Sequence, residues 1–208
     1  SLLTGGYLFY LAKTTNVKDL QNALKATTII YDKNGDQAGS LTGQKGTYVE
    51  LDAISENLQN AVVATEDRSF YKNSGINYGR FFLAILTLGR SGGGSTITQQ
   101  LAKNAFLSQD QTVERKAKEF FLALEINKKY SKKEILTMYL NNAYFGNGVW
   151  GIEDASKKYF GVSASQLSLD QSAVLAGMLK GPEIYNPLYS VENATNRRNT
   201  VLQNMVAA

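Results

Sequence analysis

The sequence predicts a mainly α-helical domain with a single short β-hairpin. Helix starts recur along the chain, where a hydroxyl side chain precedes apolar residues at three- and four-residue spacing. Some of these starts carry a capping box, in which a serine and a Glu or Gln three positions later satisfy each other's backbone N–H groups. The capping boxes are Ser131 with Glu134 and Ser168 with Gln171, and Ser55 and Thr112 are further caps.

The hairpin is expected near residues 27–42. Residues 27–31 are rich in β-branched and aromatic side chains, and Asn34-Gly35 is a typical hairpin turn. We assign no chemistry to this element.

Composition excludes several classes of function. The 22 basic and 18 acidic residues leave a net charge of +4, which suits an anionic surface or a phosphorylated substrate but is too small to indicate a nucleic-acid-binding protein. Histidine and cysteine are both absent, so histidine-dependent hydrolase triads and histidine metal sites are excluded. Acid and base chemistry would fall to carboxylates, lysines and hydroxyls.

The first residues are uncharged and rich in Leu, Tyr and Phe. A bilayer-spanning helix needs roughly 20 apolar residues, so residues 1–12 could form only part of a span. Because the chain opens with Ser rather than Met, we expect residues 1–12 to end a truncated membrane anchor and residues 13–208 to form the functional domain. An ordinary apolar first helix is the alternative.

The most informative stretch is residues 92–104, where three glycines precede a helix that we expect Ser95 to cap. A helix start offers free N–H groups and a positive dipole end, which favour an anion. The polar side chains there suit a sugar or a phosphate, and they are Ser95, Thr96, Thr98, Gln99, Gln100, Lys103 and Asn104. A linker followed by an amphipathic helix is the alternative.

Glu66 is a candidate general base. It follows Leu58 and Val62 at four-residue spacing on a helix expected over residues 56–67, so it lies in line with an apolar stripe. Partial burial there would raise its pKa toward the range that is useful to a base. A solvent-facing acid at a helix end is the alternative.

Glu119 is a second candidate acid, on a helix that we expect from Thr112 to about Tyr130. Its neighbours Arg115, Lys116 and Lys118 could hold an anion, or they could form exposed ion pairs with it. We expect the main buried stripe of this helix on a different line from Glu119, formed by Val113, Ala117, Phe120, Phe121 and Leu124.

Residues 80–90 hold a nearly continuous apolar run between two arginines. The run is too short to span a bilayer, so it is either a buried core helix or a segment at the membrane interface.

Taken together, these stretches resemble the motifs of the family 51 glycosyltransferases, the peptidoglycan polymerases that occur alone or as the N-terminal half of class A penicillin-binding proteins. The matching residues, in chain order, are Glu66-Asp67-Arg68-Ser69-Phe70 with Asn73 and Gly75, then residues 92–104, Arg115-Lys116-Ala117-Lys118-Glu119, Lys133-Glu134-Ile135-Leu136 with Tyr139-Leu140-Asn141, and residues 173–180. Two positions depart from the family pattern: Asn73 stands where histidine is common, and Gln111 where many members carry arginine.

The resemblance implies a lysozyme-like helical domain with a smaller membrane-facing lobe. It implies that Glu66 and Glu119 are catalytic, and that a set of nearby polar residues binds substrate. This set is Asp67, Ser95, Thr96, Gln99, Gln100, Lys103, Asn104, Arg115 and Lys116. Lys103 and the basic pair Arg115-Lys116 would hold a pyrophosphate, directly or through a divalent metal such as Mg²⁺, and Glu119 would orient those cations or coordinate that metal.

The implied reaction joins lipid II units into a β-1,4-linked glycan by inverting displacement of a lipid pyrophosphate. The partners implied are lipid II, the growing lipid-linked glycan, the bacterial cell membrane and a transpeptidase domain beyond residue 208, with an anchored catalytic domain outside the cytoplasm. A lysozyme-like enzyme that cleaves glycan and a non-catalytic membrane-anchored scaffold are the alternatives. The conformational freedom of the glycines at 92–94 predicts a mobile flap beside the cleft.

Overall fold

The structure, a computed structural model, describes residues 6–7, 10, 17–25, 28–31, 37–41, 46–87, 95–107 and 113–208. The prediction of a mainly helical fold is confirmed. The helices are α1 (Leu20–Lys25), α2 (Glu56–Glu66), α3 (Tyr78–Leu86), α4 (Ile97–Phe106), α5 (Val113–Lys129), α6 (Lys132–Asn142), α7 (Ile152–Phe160), α8 (Leu169–Met178), α9 (Pro182–Tyr185) and α10 (Val191–Ala207).

The predicted hairpin is also confirmed. Strands β1 (Thr28–Tyr31) and β2 (Gln37–Leu41) pair antiparallel, with Thr28 opposite Leu41 and a register shift after Ile30. The expected Asn34-Gly35 turn lies outside the described residues.

The chain forms two compact units. The first contains the described part of residues 1–18 together with Glu66–Tyr139, and the second contains Asp19–Thr65 and Leu140–Ala208. Every predicted site residue from Glu66 to Glu119 belongs to the first unit.

In the first unit, α4 packs on α5. The buried residues of α4 include Ile97, Leu101 and Ala102, whose three- to four-residue spacing places them on one face of the helix. Helix α6 begins with the predicted capping box, since Ser131 N donates to Glu134 Oε1 at 3.0 Å and Glu134 N donates to Ser131 Oγ at 3.2 Å. This capping box fixes the start of α6.

In the second unit, α8 packs on α10, and α8 begins with the predicted capping box of Ser168 and Gln171. The side chain of Asn141 bonds both the N–H and the C=O of Val49, each at 2.8 Å. The backbone N–H and C=O of Val49 are thereby hydrogen-bonded by a side chain instead of by a partner strand.

Helix α3 corresponds to the apolar run between the arginines. Phe81 packs on Phe120 of α5 with ring centroids 5.0 Å apart. Phe82, Leu83 and Leu86 are 58%, 50% and 81% exposed, so α3 is not a buried core helix. Within the described ranges, no helix has both the length and the apolar character needed to cross a bilayer, and the proposed anchor at residues 1–12 lies largely outside those ranges.

Candidate active site

Glu66 is the last residue of α2. Leu58 and Val62 of the predicted stripe are buried, while Glu66 is half-buried at the end of that stripe. Its Oε2 accepts a hydrogen bond from Gln100 Nε2 of α4 at 3.3 Å. The carboxylate is therefore fixed by an amide rather than left to rotate in water.

Asp67, the next residue, is 1% exposed. Its Oδ2 accepts from Ile97 N at 3.2 Å, and Asn73 Nδ2 donates to both of its oxygens at 3.1 and 3.2 Å. Burial raises the pKa of Asp67, and these hydrogen bonds together with the charges of Lys132 and Arg80 oppose that rise. Asp67 thus joins the start of α4 to the loop after α2.

Asn73, which stands where the family commonly has histidine, connects Asp67 to the half-buried cation Lys132. Its Oδ1 accepts from Lys132 Nζ at 3.1 Å and from Gly75 N at 3.0 Å. Burial lowers the pKa of Lys132, and the charge of Asp67 acts in the opposite direction. The single amide of Asn73 provides both the donors and the acceptor that this link requires.

Helix α4 begins with a capping box, although its N-cap is Thr96 and the prediction of Ser95 was wrong by one residue. Thr96 Oγ1 accepts from Gln99 N at 3.1 Å and donates to Gly75 O at 2.6 Å, and Thr96 N donates to Gln99 Oε1 at 2.8 Å. Gly75 has a φ of 95°, and a Cβ there would lie 2.8 Å from Ala123 O. Only glycine suits this position, which presents its carbonyl to Thr96.

Ser95, Lys116 and Glu119 form a second cluster. Lys116 Nζ lies 2.8 Å from Glu119 Oε1 and also donates to Ser95 Oγ, which itself donates to Glu119 Oε1 at 3.3 Å. Glu119 is 5% exposed. Its hydrogen-bond partners in the described part of the chain are the side chains of Ser95 and Lys116.

The buried face of α5 differs from the predicted main stripe. Glu119, Leu122, Ala123 and Ile126 are buried, whereas Ala117, Phe120, Phe121 and Leu124 are half-buried. Val113 is described only in its backbone. The exposed ion-pair interpretation of Glu119 was therefore wrong, because this acid lies on the most buried line of the helix.

Lys103, Asn104 and Arg115 are half-buried. Lys103 lies on the last part of α4, and its ammonium has no hydrogen-bond or ion-pair partner among the described residues. Lys118 instead pairs with Glu114 at 3.8 Å. A partly buried ammonium of this kind is available to an anionic ligand.

Tyr139, which the sequence indicated only as structural support, bonds one of the predicted site residues. Its ring is 1% exposed, and its hydroxyl donates to Gln100 Oε1 at 2.8 Å. Burial first, and then the charges of Glu66 and Asp67, raise the pKa of Tyr139 well above 10.0. Asn73 and Lys132 were likewise not predicted as members of the site, and position within the matching motifs was the available signal for Tyr139 and Asn73.

Both acids are bound to one segment of the chain. Glu119 bonds Ser95, immediately before the N-cap of α4, and Glu66 bonds Gln100, in the first turns of α4. Thr96 and Gln100 are separated by about 6 Å along the axis, because each residue of an α-helix rises about 1.5 Å. The proposed flap at Gly92–94 and the departure at Gln111 lie outside the described residues, as does the cap Thr112.

A divalent metal would need several oxygen ligands. Among the residues that the structure describes, no group of three or more acidic side chains is close enough to hold one. Glu119 Oε1 already receives an ammonium and a hydroxyl. The described side chains alone therefore do not supply a complete set of metal ligands.

Comparison with known proteins agrees with this arrangement of motifs. A family model described as transglycosylase matches residues 34–206. Penicillin-binding protein 2a of Streptococcus pneumoniae serotype 2 is 81% identical over 207 residues, covering 100% of this chain and 28% of that protein. Penicillin-binding protein 1A of Aquifex aeolicus is 46% identical over 181 residues, covering 85% of this chain and 25% of that protein.

A solved structure is also similar. The crystal structure of penicillin-binding protein 1A from Haemophilus influenzae matches 88% of this chain and 18% of its own, with 26% identity and a TM-score of 0.46. The chain thus spans between 25% and 28% of the length of the two relatives named above. Since the family model matches most of the 208 residues, the chain belongs to the transglycosylase family, which is family 51 of the glycosyltransferases.

Proposed function

We propose that this chain polymerises lipid II into β-1,4-linked glycan strands. The observation that carries the proposal is that a half-buried acid, Glu66, and a buried acid paired with a lysine, Glu119, both bond to the segment Ser95 to Gln100. This transfer requires a base for the attacking alcohol and cations that bind the departing pyrophosphate. Both kinds of group are bonded to this one segment at the start of α4.

Glu66 acts as the general base. The 4-hydroxyl of the acceptor N-acetylglucosamine attacks the anomeric carbon of the donor, a carbon–oxygen bond forms, and the bond to the lipid pyrophosphate breaks. An alcohol is a weak nucleophile until its proton is removed, so the proton passes to the Glu66 carboxylate. Attack opposite the leaving group inverts the anomeric centre and produces the β linkage.

Cations stabilise the departing pyrophosphate. Lys103 supplies an ammonium that has no partner in the described part of the chain, and Lys116 supplies one that Ser95 and Glu119 hold in place. Glu119 therefore orients Lys116 rather than transferring a proton. Arg115 lies beside Lys116 on α5, and Asn104 lies beside Lys103 on α4. Charge-assisted bonds to phosphate are about twice as strong as neutral ones.

Asp67, Thr96 and Gln99 support the site from behind. Their side chains are buried and bond one another's backbone or that of Ile97 and Gly75. We therefore assign these three residues to positioning α4 and Gln100 to holding the Glu66 carboxylate, while Ser95, Lys103, Asn104, Arg115 and Lys116 remain the proposed substrate-binding set.

The wider setting is a membrane surface. The exposed apolar face of α3 would contact the bilayer in which the lipid tails of the substrate lie. A single anchor before residue 13, a catalytic domain outside the cytoplasm and a C-terminal transpeptidase domain complete the proposal for the full-length protein.

Incubation of the purified protein with labelled lipid II tests this function. We expect long glycan polymer to accumulate. Release of fragments from finished peptidoglycan, with no polymer formed, would instead identify a lysozyme-like hydrolase. Lipid II binding with neither reaction would identify a scaffold.

A further inference from the structure

Tyr139 and Glu66 are connected through one side chain. The Tyr139 hydroxyl donates to Gln100 Oε1 at 2.8 Å, and Gln100 Nε2 donates to Glu66 Oε2 at 3.3 Å. We infer that Tyr139 is a positioning residue for Glu66 and that it acts through Gln100. This inference rests on the proposed function, in which Glu66 is the general base.

The direction of the hydrogen bonds follows from the phenol. Burial and the nearby carboxylates raise the pKa of Tyr139 well above 10.0, so its hydroxyl keeps its proton and acts as a donor. An amide accepts at its oxygen and donates at its nitrogen. With Oε1 bound to Tyr139, the NH₂ group of Gln100 faces Glu66. The reversed amide would place an oxygen against a carboxylate, which is repulsive.

The frame that carries Gln100 is also fixed. The capping box of Thr96 and Gln99 holds the start of α4, and Ile97 N is bound to Asp67, the residue next to Glu66. Gln100 N donates to Thr96 O at 3.0 Å, so the amide extends from a defined helical turn. Rotation of the Glu66 carboxylate is consequently set by an amide whose own orientation is set by Tyr139.

This arrangement affects the chemical step rather than substrate affinity. A general base must lie within hydrogen-bond reach of the proton that it removes. The Tyr139 ring is 1% exposed and does not reach a ligand at the surface. We therefore expect Tyr139→Phe to lower kcat about tenfold, the effect of losing one neutral hydrogen bond, and to leave the KM for lipid II unchanged.

Tyr130→Phe is the matched control. Tyr130 is also a buried tyrosine of the first unit, and its hydroxyl donates to Val17 O and Lys18 O at 2.6 and 2.7 Å. It should lose a similar amount of thermal stability and keep its kcat. Equal losses of kcat in the two variants would show a general effect of removing a buried hydroxyl and would overturn the inference.

A double-mutant cycle tests the route through Gln100. On a Gln100→Ala background the hydrogen-bond chain is already broken, so adding Tyr139→Phe should change kcat by less than about twofold. Losses that multiply would show that Tyr139 acts independently of Gln100.

If Tyr139→Phe does not fold, Gln100→Glu is the variant to measure, because it keeps an acceptor for Tyr139 but offers no donor to Glu66. Its kcat should fall as far as that of Gln100→Ala, and a wild-type kcat would refute the inference.

Glu66→Gln separates the two levels of the proposal. Retained activity in Glu66→Gln would remove the assigned base and the proposed mechanism with it. An inactive Glu66→Gln combined with an unaffected Tyr139→Phe would remove only the role of Tyr139.

Discussion

At the residue scale, Lys103 is a half-buried cation of the first unit whose ammonium has no hydrogen-bond or ion-pair partner among the described residues. A charge-assisted hydrogen bond contributes roughly 1.5–3 kcal/mol, so Lys103→Met should lower kcat/KM for lipid II by about ten- to a hundredfold. Lys118→Met is the control, because Lys118 is already paired with Glu114, four residues earlier on α5, at 3.8 Å. Steady-state kinetics of both variants would measure the difference, and equal losses would contradict the role of Lys103.

Asp67 gives a prediction about pH. Its pKa is raised by burial above the ordinary value of 3.8, so the folded protein binds this proton more tightly than the unfolded chain. The free energy of unfolding should therefore fall as the pH rises from 3.8 through the raised pKa, and the loss is complete above it. Asp67→Asn removes this contribution.

Urea unfolding of both proteins at a series of pH values measures the effect. Relative to Asp67→Asn, the wild type should gain stability as the pH is lowered into the acid range. A difference that is independent of pH, or one of opposite sign, would show that burial does not dominate at Asp67.

At the element scale, the start of α4 depends on Thr96. Thr96→Val keeps the shape of the side chain but loses the cap and the 2.6 Å bond to Gly75 O. Loss of an N-cap costs about 0.5–2 kcal/mol, so the free energy of unfolding should fall by about 2 kcal/mol once the buried carbonyl is also left unsatisfied. Thr96→Ser keeps the hydroxyl and should lose much less in the same denaturation experiment. Equal losses would indicate that the methyl group matters and the cap does not.

The exposed face of α3 gives a prediction about membranes. Replacing Phe82, Leu83 and Leu86 with Ser should weaken binding to phosphatidylglycerol vesicles by about tenfold or more, because each apolar side chain contributes roughly 1.5–3 kcal/mol when fully buried. Ile184→Ser with Leu188→Ser removes exposed apolar residues of the second unit and serves as the control. Vesicle sedimentation measures the binding of both variants. Equal binding by the two variants would contradict this role for α3.

The elements that were predicted correctly are those whose stabilising interactions join residues close together in the sequence. The capping boxes of α6 and α8 and the β1–β2 pairing depend on residues close in the chain, and they were predicted correctly. The N-cap of α4 was assigned one residue early, because Ser95 and Thr96 are both good caps and the choice depends on Gly75 O, 21 residues away from Thr96. The buried face of α5 was assigned to the wrong line, because the packing partners of Glu119 are not encoded in the periodicity of its own helix.

At the scale of the whole molecule, motif resemblance predicted the family, which the comparisons confirm, and it named the acids and lysines of the proposed site. It could not identify the connections among them. Tyr139 bonds Gln100 across 39 positions of sequence, and Asn73 bonds Lys132 across 59. Such contacts arise only when α4, α6 and the loop after α2 fold together.

The central claim is that the Glu66 carboxylate removes the acceptor proton. Single-turnover polymerisation of lipid II by Glu66→Gln, with binding and unfolding measured in parallel, tests it most directly. General-base catalysis contributes roughly 10²–10⁴-fold, so the rate should fall by that factor while lipid II affinity and stability stay near those of the wild type. A rate close to that of the wild type would show that another group removes the proton.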